Sequence, residues 1–423
     1  MFFDRPDAGL EAMLLSLRFD HSKAPHNLAE FSELVRSAGY IPKIEQAISR
    51  HEPDPRTGLG KGKVTELREE LDFHDLTLVI IDCELTASQQ RNLELVLERR
   101  ILTRTELILT IFEQRARTRE GKLQVELALL KHAQTHVVGG WSHLDRQRGG
   151  INMRGAGELQ SSIDKGLIQR RIFNVERRLE KVVQHREQHR KRRHRNDILT
   201  VALVGYTNAG KSTLFNALTE AEVYADDRLF ATLDPTMRRL ALPNVGTGLI
   251  ADTVGFIRDL PMSLVAAFKA TLEEVAHADL LLHVIDASSE DAGRMVHDVQ
   301  DILSDIGAGE IPTINVLNKV DEGVHPNVAC MTGVHVSALE RTGFDHLLAE
   351  VGAQLGGLTQ LYEVQLPPSA GKLRAWLYGL GVVKDERFGS DGTATLCVKL
   401  NESSLTRLRS SPGVALEPVA SAT

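Results

Sequence analysis

The sequence predicts an α/β protein built around a doubly wound, mostly parallel β-sheet. From residue 198 to about residue 355, apolar strand-like segments alternate with segments of helical periodicity, which is the pattern of repeated βαβ units. A shorter alternating stretch opens the chain, and a long helical stretch with a glycine-rich interruption follows it. We therefore expect a small α/β domain with a long helical hairpin before the main sheet, and a small α+β domain after it.

The first hundred residues supply the elements of the small α/β domain. MLLSLRF (residues 13–19) and LTLVIIDC (residues 76–83) are apolar enough for buried strands. NLAEFSELVRSAGY (residues 27–40) and KVTELREELD (residues 63–72) have the apolar spacing of helices. This alternation predicts a layer of helices on a small sheet.

A helical hairpin is predicted next. From Ser88 to about Ala133 the apolar spacing is helical throughout. Six glycines then fall between Gly139 and Gly157, a density at which we expect a loop rather than a helix. The helical pattern returns from Leu159 to about Asn196. The hairpin therefore consists of two long helices joined by a glycine-rich tip.

The second arm of the hairpin ends in a strongly basic run. Between Lys165 and Arg195, twelve Lys and Arg residues face three Glu residues. One interpretation is a solvated helix that leads into a linker, and the other is a contact with the phosphate backbone of RNA. For an RNA contact we select two arginines of the glycine-rich loop and four cations of the arm: Arg148, Arg154, Arg190, Lys191, Arg192 and Arg193.

The main sheet and the tail follow the hairpin. The predicted strands are ILTVALVG, GLIAD, LLLHVIDA, IPTINVLN and GVHVSA, and the predicted helices are KSTLFNALTE, VAAFKATLEEVAH, DAGRMVHDVQDILSDI and GFDHLLAEVGAQL. In the tail, KLRAWLYGL and NESSLTRLRS are predicted helices and ATLCVKL is a predicted strand. The four domains are predicted at residues 1–105, 106–196, 197–360 and 366–423.

Composition restricts the class of protein. A net charge of −7 argues against a general nucleic-acid coat. The three cysteines, Cys83, Cys330 and Cys397, are far apart and form no CxxC pair, which excludes a disulfide framework and a zinc knuckle. Acidic residues precede the first short apolar run, which is the wrong order for a secretory signal, and no apolar run reaches membrane-spanning length. We expect a cytoplasmic monomer without a membrane span; peripheral membrane association is compatible with the sequence.

The segment GYTNAGKST (Gly205–Thr213) has the pattern of a phosphate-binding loop. It satisfies G-x-x-x-x-G-K-[ST], with a predicted strand before it and a predicted helix after it. The glycines let successive backbone N–H groups turn towards phosphate oxygens, and the helix start adds its positive dipole end. Lys211 is expected to reach the β- and γ-phosphates, and the Ser212 hydroxyl to bind Mg²⁺. A plain glycine turn at a helix start is the alternative.

The segment NKVD, which begins at Asn318, indicates which purine base is bound. The Asp321 carboxylate can accept hydrogen bonds from N1–H and the 2-amino group of guanine; adenine offers neither, and an unpaired carboxylate is costly. Lys319 can lie across the base, and Asn318 can tie this loop to the phosphate-binding loop. In SAL (Ser337–Leu339), the backbone N–H of Ala338 can donate to guanine O6. The combination predicts a GTP site.

A third motif, DTVG (Asp252–Gly255), ends a predicted strand. Asp252 is placed to hold Mg²⁺ through a water molecule. The Gly255 amide is placed to sense the γ-phosphate, so that its loop can order or relax with hydrolysis. Between the phosphate-binding loop and DTVG, the segment DDRLFATLDPTMRR offers two threonines, Thr232 and Thr236, as the second magnesium ligand.

The order GYTNAGKST, FATLDPT, DTVGFIRDLP, NKVD, SAL resembles the translational GTPases of the TrmE–Era–Obg class and, more narrowly, the ribosome-associated GTPase family HflX. LTASQQRNLE, IFEQRARTREGKLQVELALLKH and GGWSHLDRQRGG are similar to the N-terminal domain and hairpin of that family. The resemblance covers about residues 13–360 and, more loosely, the tail. One departure lies in the glycine-rich loop, where Asn152 and Ala156 stand in place of a glycine and a proline of the family.

The resemblance implies GTP hydrolysis with Mg²⁺ held by Ser212, Thr232 and, through water, Asp252. Its FATL pattern favours Thr232 over Thr236, and Lys211, Thr232 and Gly255 are the expected catalytic residues. It also makes K⁺ near Asn208 a candidate second cation, with a polar brace of the neighbouring loop as the alternative. The residues expected to contact GTP or GDP are Gly205, Tyr206, Thr207, Asn208, Ala209, Gly210, Lys211, Ser212, Thr213, Phe230, Ala231, Thr232, Leu233, Asp234, Asp252, Thr253, Val254, Gly255, Asn318, Lys319, Val320, Asp321, Ser337, Ala338 and Leu339.

The family resemblance also implies a partner, the 50S ribosomal subunit with its rRNA. The glycine-rich loop would approach the peptidyl-transferase region, and members are linked to splitting stalled or idle ribosomes. The alternative is an RNA-binding assembly module in which GTP acts as an occupancy switch with little turnover. A third hypothesis is use of adenine nucleotides by the N-terminal layer, where RTGLGKGKVTEL (residues 56–67) is rich in glycine and lysine but lacks the Walker spacing.

Phe256 follows DTVG, at the position where Ras-like enzymes have a glutamine that orients the attacking water. Phenylalanine cannot form a hydrogen bond with water. We therefore expect slow hydrolysis by the free protein and an additional group that positions the nucleophile. In a second interpretation, which is compatible with the first, Phe256 packs the loop.

Overall fold

The structure is a computed structural model. It describes residues 9–19, 27–140, 156–195, 198–219, 229–230, 232–233, 235–243, 246–258, 269–356, 359–380, 382–389, 392–401, 405, 408–409, 411 and 413–419. The chain divides into two compact units. The first comprises Met1–Val183, Asp226–Leu233 and Asp259–Phe268, and the second comprises Gln184–Ala225, Asp234–Arg258 and Lys269–Thr423.

A four-stranded parallel sheet forms the centre of the first unit. Its strands are β1 (Glu11–Phe19), β2 (Ile41–Arg50), β3 (Leu78–Ile81) and β4 (Arg100–Thr103), in the order β2-β1-β3-β4. Helices α1 (Leu28–Ser37), α2 (Lys61–Phe73), α3 (Ala87–Leu97) and α4 (Arg104–Arg115) connect and cover them. Side chains of β1, β3, α2 and α3 share one apolar core. RTGLGKGKVTEL forms the turn before α2 and the first half of that helix.

The prediction of unbroken helix from Ser88 to Ala133 is wrong at residues 100–103, which form β4. Helix α3 ends at Glu98, whose φ of 56° turns the chain out of the helix. A capping box of Thr103 and Glu106 then starts α4. Between these two signals, four residues pair with β3 in parallel. The edge strand β2 was also missed, because its half-exposed sequence has no continuous apolar run.

A buried charge cluster ties the carboxyl ends of this sheet together. The Arg104 guanidinium donates to Asp82 Oδ1 at 2.6 Å and to Glu30 Oε1 at 2.8 Å. Arg18 donates to the other oxygen of Asp82 at 2.9 Å. A buried guanidinium needs such paired carboxylates, since an unpaired buried charge is strongly destabilising.

The hairpin consists of α5 (Arg119–Gly140) and α6 (Ala156–Arg195). Its two arms pack through an apolar seam that includes Leu127 of α5 and Ile172 of α6. The seam is flanked by an ion pair between Arg171 and Glu126. Gly139, Gly140 and Gly157 lie in the helices, so the predicted loop was too long at both ends. The rest of the tip, with Arg148 and Arg154, lies outside the described residues, as do the side chains of Arg190, Lys191, Arg192 and Arg193, whose backbone is helical.

A six-stranded sheet forms the centre of the second unit and confirms the predicted α/β fold class. Its strands are β5 (Thr200–Val204), β6 (Thr236–Leu242), β7 (Gly246–Asp252), β8 (Leu280–Asp286), β9 (Thr313–Asn318) and β10 (Val334–His335), in the order β10-β9-β8-β5-β7-β6. The helices are α7 (Lys211–Thr219), α8 (Lys269–Ala276), α9 (Ala292–Asp305), α10 (Pro326–Ala329) and α11 (Phe344–Gly356). Neighbouring strands are parallel except for β6 with β7.

The antiparallel edge strand β6 was not predicted. Its sequence, TMRRLAL, carries two exposed arginines and no long apolar run. Its pairing with β7 spans Thr236 opposite Asp252 to Leu242 opposite Gly246. Tertiary pairing therefore makes a strand of a segment that local propensity leaves ambiguous.

The tail contains an antiparallel sheet of β11 (Thr359–Leu366), β12 (Val383–Phe388), β13 (Ala394–Asn401) and β14 (Ala415–Pro418), in the order β12-β13-β11-β14. Helix α12 (Gly371–Leu380) confirms one predicted element and β13 another. The prediction missed three strands, so the tail is richer in β-structure than expected. The predicted helix NESSLTRLRS falls largely outside the described residues.

No helix in the described part of the chain has the length and apolarity needed to cross a membrane.

Candidate nucleotide site

The predicted phosphate-binding loop lies between β5 and α7. Gly205 and Gly210 have φ of 147° and 87°, and Asn208 has φ of 61°. A Cβ at Gly205 would overlap the carbonyl oxygen of Val284, and one at Gly210 would overlap the Asn318 side chain. Glycine is therefore required at both positions, by backbone conformation and by close packing.

Lys211 is the first residue of α7 and is 6% exposed. Its Nζ donates to the carbonyl oxygens of Gly205 at 3.1 Å and Tyr206 at 2.6 Å, so the ammonium is held inside the loop. Burial lowers its pKa to about 8, although the carboxylate of Asp252 acts in the opposite direction. An anionic ligand in this loop would restore the stability of the charged form.

Oxygen ligands suited to a hard divalent cation meet beside this lysine. The Ser212 hydroxyl donates to Asp252 Oδ2 at 2.7 Å, and Asp252 is fully buried at the end of β7. Mg²⁺ prefers one or two protein oxygens together with phosphate oxygens and waters. The donor set therefore fits the predicted magnesium site.

A further polar group of the loop suits a phosphate ligand. Thr207 is 7% exposed, and its hydroxyl has no hydrogen-bond partner within the described part of the chain. A buried hydroxyl without a partner is costly. A phosphate oxygen would satisfy it. Thr213 lies in the first turn of α7.

The predicted base-recognition residues lie at the carboxyl ends of β9 and β10, in the same sheet. Asn318 Nδ2 donates to the carbonyl oxygen of Ala209 at 2.9 Å, and its Oδ1 accepts the N–H of Ala338 at 2.9 Å. Asp321, in a short 3-10 turn with Val320, is exposed and accessible to a base. Leu339 is 77% exposed and Ser337 is buried.

Asp286 lies with these residues and was not predicted from the sequence. Lys319 has φ of 66°, and its Nζ forms an ion pair with Asp286 Oδ2 at 2.7 Å. Asp286 is the last residue of β8, the strand between β5 and β9. An acidic residue at the carboxyl end of a central parallel strand is a signal that could have identified it.

The DTVG motif lies at the end of β7, and the four described residues Gly255–Arg258 are named here the switch II segment. Thr253 Oγ1 donates to the carbonyl oxygen of Leu203 at 2.6 Å, which fixes the start of the motif beside β5, and Val254 is also buried. A Cβ on Gly255 would lie 2.9 Å from Lys211 Nζ. Phe256 is 1% exposed, so its ring packs inside the protein.

The residues around the FATL pattern belong to the first unit, whereas the other motifs belong to the second. Leu229 N–H donates to Ser37 Oγ at 2.9 Å, and the Phe230 ring meets the Phe112 ring edge to face at 4.7 Å. Leu233 is buried, and Thr232 is partly buried. Ala231 and Asp234 lie outside the described residues. Thr232 therefore belongs to the first unit, and Ser212 and Asp252 belong to the second.

Comparisons with protein families match nearly the whole chain in four consecutive parts. Residues 25–113 match the family described as GTP-binding GTPase N-terminal, and residues 115–193 match GTP-binding GTPase Middle Region. Residues 200–319 match 50S ribosome-binding GTPase, and residues 327–418 match HflX C-terminal domain.

Curated relatives agree with these matches. The GTPase HflX of Magnetococcus marinus is 43% identical over 96% of this chain and 95% of its own length. The GTPase HflX of Caldanaerobacter subterraneus subsp. tengcongensis is 46% identical over 79% of this chain and 78% of its own length. The GTPase HflX of Escherichia coli is 46% identical over 94% of this chain and 95% of its own length. An identity of this size along nearly the full length of both proteins shows that this chain belongs to the HflX family of GTPases.

Proposed function

We propose that this protein binds the 50S ribosomal subunit and uses GTP binding and hydrolysis to dissociate stalled or idle 70S ribosomes. The observation that carries the proposal is the combination, in one chain, of a GTPase domain with a helical hairpin whose second arm is basic. The match of residues 200–319 to the family described as 50S ribosome-binding GTPase supports the choice of partner.

The surface of α6 supports an RNA-rich partner. Phe173 is 64% exposed and Leu167 is 52% exposed, on a helix that also exposes several arginines. Arg170, Arg177 and Arg178 are exposed in the same stretch. Arginines and lysines bind phosphates, and an exposed aromatic ring can stack on an unpaired base. A surface that combines exposed arginines with an exposed aromatic ring favours contact with rRNA over exposure to solvent.

The phosphate-binding loop provides the groups that hydrolysis needs. Lys211 reaches the β- and γ-phosphates, and Asp321 accepts hydrogen bonds from guanine. Magnesium, when bound, neutralises charge that develops on the phosphates. We assign this ion to Ser212 and, through water, to Asp252, with Thr232 as the third predicted ligand. Asn208, exposed at the loop surface, is retained as the position near which K⁺ would bind.

An RNA-binding assembly module with GTP as an occupancy switch is the second candidate. The observation that favours it is the burial of Phe256 at the position where a water-orienting glutamine is found in Ras-like enzymes. With no polar side chain there, the free protein is expected to hydrolyse GTP slowly. The two candidates differ in whether ribosomal particles accelerate turnover.

The test combines binding, turnover and particle dissociation. The protein is sedimented with 30S, 50S and 70S particles, with GDP or a non-hydrolysable GTP analogue. GTP turnover is measured with and without 50S particles, and 70S dissociation is followed by light scattering. We expect the protein to bind 50S particles in the presence of the GTP analogue and 50S particles to accelerate GTP turnover. We also expect light scattering by 70S particles to fall. Binding to 50S without stimulation or dissociation would favour the assembly module.

A variant that lacks residues 149–157 tests the role of the hairpin tip. GDP affinity should be retained, because the nucleotide motifs lie in a separate sheet. Dissociation of 70S should be lost. Dissociation at the parent rate would show that the tip is a passive linker.

A further inference from the structure

Tyr206, the second residue of the phosphate-binding loop, makes a contact that its place in the motif does not explain. The side chain is 6% exposed. Its phenol oxygen accepts the backbone N–H of Arg258 at 2.8 Å. Arg258 is the last residue of the switch II segment and is 7% exposed. A side chain of one loop thus holds the backbone of the other.

The two loops are joined by a short parallel ladder that ends before Arg258. Phe256 N–H donates to the carbonyl oxygen of Gly205 at 3.1 Å, and Thr207 N–H donates to the carbonyl oxygen of Phe256 at 2.7 Å. In a continuing parallel ladder, the next N–H of this strand, that of Arg258, would donate to the carbonyl oxygen of Thr207. The loop turns away at Asn208, whose φ is 61°. The Tyr206 phenol supplies the acceptor at the point where the ladder stops.

This anchor fixes the segment that contains Gly255. Upstream of Gly255, Asp252 is held by Ser212, and downstream the ladder and the phenol hold Phe256 and Arg258. A Cβ at Gly255 would lie 2.9 Å from Lys211 Nζ and 2.9 Å from Thr207 Cα, so the backbone is packed against the loop. Small displacements of the segment would therefore move the Gly255 amide relative to Lys211.

We infer that Tyr206 is a positioning residue for GTP hydrolysis, which acts through the Arg258 backbone to hold the Gly255 amide beside the terminal phosphate. The Phe256 ring is buried and cannot orient the attacking water. The rate of hydrolysis therefore depends more strongly on the position of the backbone of the switch II segment. This role of Tyr206 in hydrolysis does not depend on which particle the protein binds.

The test is Tyr206→Phe, which removes one oxygen and keeps the ring. Single-turnover GTP hydrolysis should slow by about tenfold, the effect of losing one hydrogen bond to a buried N–H. GDP affinity should stay within about twofold of the parent, since no N–H group of the phosphate-binding loop is changed. The matched control is Tyr362→Phe, which removes a phenol oxygen that donates to Gln360 at 2.9 Å in the tail sheet. The control should hydrolyse GTP at the parent rate.

Amide hydrogen exchange separates positioning from general loosening. In Tyr206→Phe with GDP bound, exchange at Arg258 should become faster, while exchange at Thr207 and Phe256, which keep their ladder bonds, should not change. Parent-like hydrolysis in Tyr206→Phe would overturn the inference. Equal loss of GDP and GTP-analogue affinity, with faster exchange at all three amides, would also overturn it, because Tyr206 would then only support the loop.

Discussion

Asn318 joins two loops that are far apart in the sequence. Its Nδ2 donates to the carbonyl oxygen of Ala209, and its Oδ1 accepts the N–H of Ala338, both at 2.9 Å. The residue is 1% exposed, so water does not compete for either bond. One amide therefore sets the distance between the phosphate-binding loop and the loop expected to meet the guanine base.

Replacing Asn318 with alanine should weaken GDP binding by at least about tenfold. The change leaves a buried carbonyl and a buried N–H without partners, and one such group costs about 1–3 kcal/mol, where about 1.4 kcal/mol is tenfold. Fluorescence titration with a labelled GDP measures the effect. The control is Asn315→Ala on the same strand, whose amide donates to Thr332 O at 3.1 Å in a solvent-exposed contact. Equal affinities of the two variants would contradict this role of Asn318.

The places of the nucleotide motifs in the fold could be predicted from sequence because each motif is local. Gly205 and Gly210 are needed for backbone reasons that a fixed spacing records, and the flanking strand and helix are adjacent in the chain. The contacts that join the motifs could not be predicted. Tyr206 meets Arg258 across 52 residues and Leu229 meets Ser37 across 192 residues. No periodicity within either segment indicates its partner.

The errors in the fold have a similar origin. Strand β4 has only four residues, and strand β6 carries exposed arginines, so neither shows the apolar pattern of a buried strand. Their pairing with β3 and β7 decides their conformation. The amphipathic helix α9 could be predicted from local sequence, because its apolar spacing alone indicates the packed face.

The binding of GDP should weaken as pH rises above 8. Burial lowers the pKa of Lys211 to about 8, whereas phosphate binding requires its ammonium form. GDP affinity at pH 9 should be about tenfold lower than at pH 7, because Lys211 of the free protein is mostly deprotonated at pH 9. His283 does not interfere, because burial, with a further contribution from Lys211, lowers its pKa to about 4.

The control for this pH dependence is Lys211→Met. It should bind GDP weakly at every pH, and its remaining pH dependence should reflect only ionisation of the nucleotide. The stability of the free protein should change in the opposite sense. The unfolded chain binds the lysine proton up to its ordinary pKa of 10.5, so this group makes the free energy of unfolding rise between pH 8 and 10.5. Identical pH slopes of GDP binding in parent and variant would contradict the assignment.

The basic arm should bind rRNA mainly through charge. Replacing Arg190, Lys191, Arg192 and Arg193 with glutamine should lower 50S affinity and flatten its dependence on salt, by up to about one unit of log slope per lost phosphate contact. Sedimentation with 50S particles over a series of salt concentrations measures both effects.

A charge-matched control for the arm lies in the tail domain. Glutamine at four exposed cations there changes the net charge equally: Lys372, Lys384, Arg387 and Arg409. This control should keep the parent salt slope. If the salt dependence of 50S affinity flattens equally in both variants, 50S binding responds to net charge alone. If neither changes, the run in α6 is a solvated helix.

Thr232 and Thr236 can be distinguished as magnesium ligands by their surroundings. Thr236 is the first residue of β6 and pairs with Asp252 in antiparallel register, so the sheet fixes its backbone. Thr232 lies two residues after Phe230. The Phe230 ring packs against the ring of Phe112, and the residue has φ of 57°. A non-glycine residue in this left-handed conformation costs about 1–2 kcal/mol. The packing of the Phe230 ring offsets this strain, and a change of conformation would release it.

Thr232→Ala should therefore leave GDP affinity within about twofold of the parent but slow GTP hydrolysis by about 10- to 100-fold, since each factor of ten corresponds to about 1.4 kcal/mol of lost transition-state stabilisation. It should also remove the preference for a GTP analogue in 50S binding, because a threonine that meets the γ-phosphate side of the ion serves only the triphosphate state. Thr236→Ala, with its backbone still paired to Asp252, should behave like the parent in all three assays. A defect confined to Thr236→Ala would transfer the magnesium ligand to β6 and show that the Phe230 segment has no part in sensing the nucleotide.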